Sequence, residues 1–260
     1  MAVELHLRRY GETDGQALVL LHGLFGSGAN WHGIARRLER RHRILVPDLR
    51  NHGDSPSDPV MTYPAMAGDL AELLAAERIT RAVVVGHSMG GKAAMWLALS
   101  EPERIAAVVI VDIAPVPYPG GFETLIEALL VLPLSDVADR KDADRRLAAR
   151  IPDAAVRGYL LQNLRHDDSG GWGWRCNLTD IAAALPALLD FPDAEGQSFA
   201  GPALFLYGTD SSYIGGDVLG TIRALFPHAR LRAVPNAGHW VYADQPEAFV
   251  AALSGFLDRI

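Results

Sequence analysis

The chain alternates between short, nearly unbroken apolar runs and longer stretches in which apolar residues recur every three or four positions. The runs are ALVLLHG (17–23), HRILVPD (42–48), AVVVGHS (82–88), IAAVVIVD (105–112), ALFLYG (203–208) and ARLRAVP (229–235). They read as strands, and several are too continuously apolar to leave one face wet, which predicts a mostly parallel sheet covered by helices on both sides. Helical spacing predicts helices over 30–40, 63–78, 90–102, 215–227 and 246–260. The alternation stops between Pro115 and Pro202, where 122–136, 144–152, 154–167 and 178–192 are helical in pattern and no strand is expected. A block of helices between two strands of one sheet is an insertion above the strand ends. The expected organisation is therefore an α/β core of 1–115 and 202–260, carrying a helical cap at 116–201.

Composition narrows the function classes. With 260 residues, 49% of them hydrophobic, the chain can bury one large α/β core. Its 24 basic and 31 acidic residues give a net charge of -7, which makes nucleic acid and anionic membrane poor partners and disfavours strongly anionic substrates. The Arg-rich ARRLERRHR (35–43) reads as the solvated face of an amphipathic helix. Cys176 is the single cysteine and can form no internal disulfide. The opening MAVELHLRRYGE has no basic segment followed by an apolar one, and no apolar run approaches the ~18 residues that span a bilayer, so a cytoplasmic protein with no membrane span is expected. No HExxH or Cys/His spacing is present, and no metal or cofactor is expected.

Candidate chemistry begins at Gly86-His87-Ser88-Met89-Gly90, a G-x-S-x-G pattern between an expected strand and an expected helix. Glycines flanking the serine remove the Cβ atoms that would clash where a strand reverses into a helix. The serine is then exposed at the helix N-terminus, where free backbone N–H groups, above all that of Met89, face any negative charge developing beside it. The competing reading is a Gly-rich turn whose serine only caps the helix. A serine hydroxyl needs a base and an orienting acid, in the order Ser, acid, His for this pattern. His239, in the loop PNAGHW after the last expected strand, has the position required of the base, and Asn236-Ala237-Gly238 before it is turn chemistry.

Two carboxylates compete for the acid. Asp112 ends VVIVD, and Asp210 follows the next core strand in LFLYGTD. The usual later-strand acid lies three residues after the glycine, a place held here by Ser211. Asp210 comes one residue early, and a one-residue offset in extended chain turns a side chain away, which favours Asp112 with Asp210 as the alternative. A second oxyanion donor is expected from Leu24 N–H in HGLFGS (22–27), with Gly23 permitting the tight turn.

Across nearly the whole core the chain resembles the α/β-hydrolases, and within them the YbfF-type bacterial acyl esterases and the related abhydrolase domain-containing protein eleven group. The shared segments are HGLFGS (22–27), RNHGDSP (50–56), YPAMAGDL (63–70), GHSMGGKAAM (86–95), DIAPV (112–116) and PNAGHWVYAD (235–244). The resemblance implies catalysis by Ser88, Asp112 and His239, and a supporting hydrogen bond from Ser211. The expected activity is hydrolysis of small to medium acyl esters through an acyl-enzyme, with an ester as small-molecule partner. Thioester or C-C bond hydrolysis, acyl transfer or perhydrolysis on the same triad is the alternative, and a non-catalytic binding protein of the same fold is the remoter one. Phe25 is a candidate for the acyl pocket, and Phe122, Leu125, Tyr159, Trp172 and Trp174 either line that pocket or form the cap's own core. Arg50 and His52 are expected to rigidify a loop.

Overall fold

The computed structural model describes residues 1–11, 15–166 and 170–260. Its strands are β1 (Leu7–Tyr10), β2 (Ala17–Leu21), β3 (Arg43–Pro47), β4 (Ala82–His87), β5 (Ile105–Val111), β6 (Leu164–His166), β7 (Trp172–Trp174), β8 (Ala203–Gly208) and β9 (Ala229–Val234). Its helices are α1 (His32–Leu38), α2 (Tyr63–Ala76), α3 (Met89–Ser100), α4 (Phe122–Leu130), α5 (Arg140–Leu147), α6 (Ala154–Leu160), α7 (Leu178–Leu189), α8 (Leu219–Leu225), α9 (Val241–Asp244) and α10 (Pro246–Leu257). Asp167, the last residue of the helical pattern at 154–167, lies outside the described residues.

Seven strands form one sheet in the order β1-β3-β2-β4-β5-β8-β9, parallel throughout except for β1. The apolar runs are fully covered because each face has its own core. Val84, Val108, Ile110 and Phe205 point to the side of α2 and α3, while Val83, Val85, Val109 and Leu206 point to the side of α1 and α10. The two edge strands are the polar ones, with Arg8 and Arg9 on β1 and Arg230 and Arg232 on β9. Charge on an edge strand discourages pairing with another chain. The same polarity hides β1 from a search for apolar runs.

The register sets where chemistry can gather. Leu21 pairs with Gly86, His87 with Val111, Val111 with Leu206, and Gly208 with Val234. The loops after β2, β4, β5, β8 and β9 therefore leave the same edge of the sheet. Strand order reverses between β2 and β4, and such a switch point opens a crevice at the carboxyl ends of the strands.

The segment between β5 and β8 carries α4 to α7, and it also holds a short antiparallel hairpin of β6 and β7. This corrects the expectation of helices alone. Three-residue strands are too short to register as a period, and their pairing depends on cross-strand contacts such as His166 stacked on Trp172 at 3.8 Å. The segment is tied to the core by side chains. Arg165 and Arg175 both pair with Asp54, Asn177 N–H donates to Asn51 O at 2.9 Å, and the Lys92 ammonium donates to Leu189 O and Asp190 O at 2.9 and 2.8 Å. No helix among the described residues is long and apolar enough to cross a membrane.

Candidate active site

Ser88 stands between β4 and α3 with φ 51° and ψ -119°, outside both strand and helix geometry. Its neighbours explain how the chain tolerates this. A Cβ on Gly86 would lie 2.2 Å from Gly90 O, and one on Gly90 would lie 2.5 Å from His22 O, so only glycine fits on either side. Although Ser88 precedes the helix, its side chain makes no capping bond. The hydroxyl is thus left free of the bland role open to it. Backbone strain of this kind persists only where the surroundings enforce it, and it concentrates at functional sites.

Asp112 follows β5 directly, is fully buried and also has a positive φ, 54°. Its Oδ2 accepts from His239 Nδ1 at 2.7 Å and from the Ser211 hydroxyl at 2.5 Å, and its Oδ1 accepts from Gly208 N–H at 3.2 Å. A carboxylate oxygen accepts, so Nδ1 is the His239 nitrogen that donates to Asp112. Asp210 is exposed, and its Oδ1 accepts from the Thr209 hydroxyl instead. The His239 ring lies stacked on Tyr213, with centroids 4.1 Å apart, and 4.6 Å from the ring of His87. His87 donates from Nε2 to His239 O at 2.9 Å. Burial, helped by the nearby His239, holds His87 well below the usual histidine range and therefore neutral.

The loop after β2 closes on the same spot. A Cβ on Gly23 would meet Ser88 Cβ at 3.3 Å and His87 Nδ1 at 2.9 Å. Two buried histidines support this loop from below. His22 donates from Nδ1 to Gly23 O and accepts Leu49 N–H, and His52 accepts Phe25 N–H at 3.1 Å. Burial lowers both, His52 to about 3, so both are neutral. Arg50, also buried, grips Asp69 through two bonds of 2.7 Å. Arg50 and His52 therefore brace loops.

Ser88 and His239 share the wall of a cavity of about 220 Å³, with Leu24, Phe25, Leu125 and Tyr159 among its other lining residues. A second, smaller cavity of about 30 Å³ also opens on Ser88 and Leu24, and Met89, Lys92 and Tyr118 line it. Phe122 borders both. Trp172 and Trp174 border neither, which corrects their candidacy for the pocket. They belong to the β6-β7 hairpin, where Trp172 stacks on His166 and Trp174 Nε1–H donates to Leu129 O at 3.2 Å.

Tyr213 and Lys92 escaped sequence reasoning. Tyr213 lies two residues past Ser211 and reaches His239 only through folding. Lys92 sits in an otherwise apolar helix, the one available signal, and burial brings its amine down to about 7 against the pull of Asp190. Among the described residues, His6, Asp48 and Asp54 bring metal-ligating atoms together, but Arg8, Arg165 and Arg175 already occupy these carboxylates.

The profile of the alpha/beta hydrolase fold family matches residues 16–246. This chain belongs to the α/β-hydrolases. It is 42% identical over 256 residues to the sn-1-specific diacylglycerol lipase ABHD11 of Xenopus laevis, covering 95% of this chain and 81% of that protein. It is 37% identical over 248 residues to Esterase YbfF of Escherichia coli, covering 95% of each. A solved marine microorganism esterase superimposes with a TM-score of 0.95 at 34% identity, over 98% of this chain and all of the other. As an α/β-hydrolase, the chain has the mostly parallel sheet covered by helices on both faces that its apolar runs lead one to expect.

Proposed function

We propose that this α/β-hydrolase is a carboxylic ester hydrolase that works through an acyl-enzyme on Ser88. The observation that carries the reading is the meeting of a strained, uncapped Ser88 with an Asp112-paired His239 on one cavity wall. His239 takes the Ser88 proton through Nε2 as the hydroxyl attacks the ester carbonyl. The Leu24 and Met89 N–H groups hold the oxyanion, and Asp112 fixes the imidazole and favours the imidazolium that forms. Ser211 and Gly208 hold the carboxylate. His239 then protonates the departing alcohol, and water repeats the sequence on the acyl group. The insertion, 116–201, acts as a cap over the site.

The larger cavity supports the choice of acyl group. A cavity of about 150 Å³ holds benzene, so about 220 Å³ accommodates a chain several carbons longer than acetyl. Its lining of Phe25, Phe122, Leu125 and Leu160 is apolar. Hydrolysis of p-nitrophenyl esters from acetate upward tests this reading. We expect kcat/KM to rise with acyl length and then fall once the chain outgrows the cavity, with kcat lowered by orders of magnitude in Ser88→Ala. Flat length dependence would reject the cavity as the acyl site, and near-wild-type turnover in Ser88→Ala would reject the mechanism.

A further inference from the structure

We propose that Tyr159 and Asn163, both in the insertion, are positioning residues for the loop expected to supply the Leu24 oxyanion donor. That loop then reaches its working geometry only with the insertion docked. The inference rests on the esterase reading above and assigns the insertion a part in the chemical step, beyond enclosing substrate.

Three consecutive peptide groups make up the relevant loop, and each is held from outside. The first carries Leu24 N–H, and its carbonyl, Gly23 O, accepts from His22 Nδ1 at 2.8 Å and Gly26 N–H at 3.0 Å. The second is gripped at both ends: Phe25 N–H donates to His52 Nε2 at 3.1 Å, and Leu24 O accepts the Tyr159 hydroxyl at 3.0 Å. The third offers Phe25 O, which accepts Asn163 Nδ2 at 2.7 Å. Thus the core supplies His22 and His52, and the insertion supplies the other two.

External holds are needed because Phe25 has φ 60°, a conformation that a bulky residue does not keep unaided. The fit is specific. A Cβ on Gly26 would come within 2.8 Å of the Tyr159 hydroxyl oxygen, so the glycine leaves room for that bond. Asn163 is buried, and its amide also donates to Leu160 O at 3.2 Å, which anchors it at the end of α6. The Tyr159 ring packs 5.2 Å from Trp240, the neighbour of His239, so one side chain spans the oxyanion loop and the histidine loop. An oxyanion donor acts on charge that develops in the transition state, so an error in its aim lowers kcat more than substrate affinity.

Tyr159→Phe removes one hydroxyl and keeps the ring. Direct loss of an oxyanion donor costs about 10²-fold or more, and we expect misalignment of one to lower kcat about tenfold, with KM within about twofold. The drop should be equal for short and longer acyl esters. Affinity for a trifluoromethyl ketone, which mimics the tetrahedral intermediate, should fall by the same factor, with the melting temperature nearly unchanged. Asn163→Leu reads the same loop from its other bond and should change kcat in the same direction. Unchanged kcat and ketone affinity in Tyr159→Phe would overturn the proposal, as would an effect confined to KM and to longer chains, which marks a residue that only lines the pocket. If the wild type shows no Ser88-dependent hydrolysis, the esterase reading itself falls and takes this inference with it.

Discussion

Asp112 accepts hydrogen bonds from three residues on two segments, Gly208 and Ser211 at the end of β8 and His239 after β9, so a change of one atom there disturbs more than charge. Asparagine at this position would present a donor to His239 and lose the pull that keeps the proton on Nδ1. We expect Asp112→Asn to lower kcat about 10⁴-fold, as the equivalent change does in other Ser-His-Asp triads. Asp210→Asn should stay within about twofold, because that carboxylate faces solvent and Thr209. The reverse result in steady-state kinetics would move the acid to Asp210. These residues were legible in the sequence for different reasons. Ser88 stands inside a pattern whose glycines have a steric purpose, and His239 follows the last expected strand, where the chain order serine, acid, histidine calls for a base. Choosing between the aspartates took a register argument, since both end strands of the same sheet. Tyr213 gave no signal at all, because a ring that stacks on another across the fold obeys no sequence spacing.

At the level of elements, the site is assembled from loops that leave one sheet edge and is closed by a segment hydrogen-bonded to them. Lys92 is one of the closures. From the first turns of α3 it reaches the carbonyls that end α7, and its ammonium lies 5.0 Å from the Tyr118 ring centroid. Lys92→Met fills the space but leaves Asp190 O without this donor. The change should cost about 1.5 to 3 kcal/mol in urea unfolding, in the range for hydrogen bonds to a charged group. Equal or greater stability would show that burying the amine costs as much as its bonds return. The elements that periodicity announced were those with a continuous apolar face. The polar edge strand β1 and the hairpin of β6 and β7 were missed because their pairing partners, and not their own composition, make them strands.

For the whole molecule, the buried histidines set the response to acid. Burial lowers His22, His42, His52 and His87 below the ordinary value, His52 to about 3 and His87 well below it. The unfolded chain therefore binds these protons first as pH falls, and stability declines from about pH 6.5 downward, through the window between unfolded and folded values. Carboxylates extend the loss. The Arg9 side chain and its charge hold Glu77 below the usual range, and Arg175 does the same for Asp54, so their contribution is present above about pH 4 and is lost as pH falls further. Urea unfolding at a series of pH values should show stability dropping already between neutrality and about pH 5. A flat profile across that interval would contradict neutral buried histidines.

The most direct test of the whole account is to quench the reaction with a p-nitrophenyl ester before steady state and map the protein by mass spectrometry. We expect an acyl group on the peptide carrying Ser88, formed in a burst that Ser88→Ala abolishes and His239→Ala slows severely. Turnover without an acyl adduct, or an adduct on another residue, would contradict it.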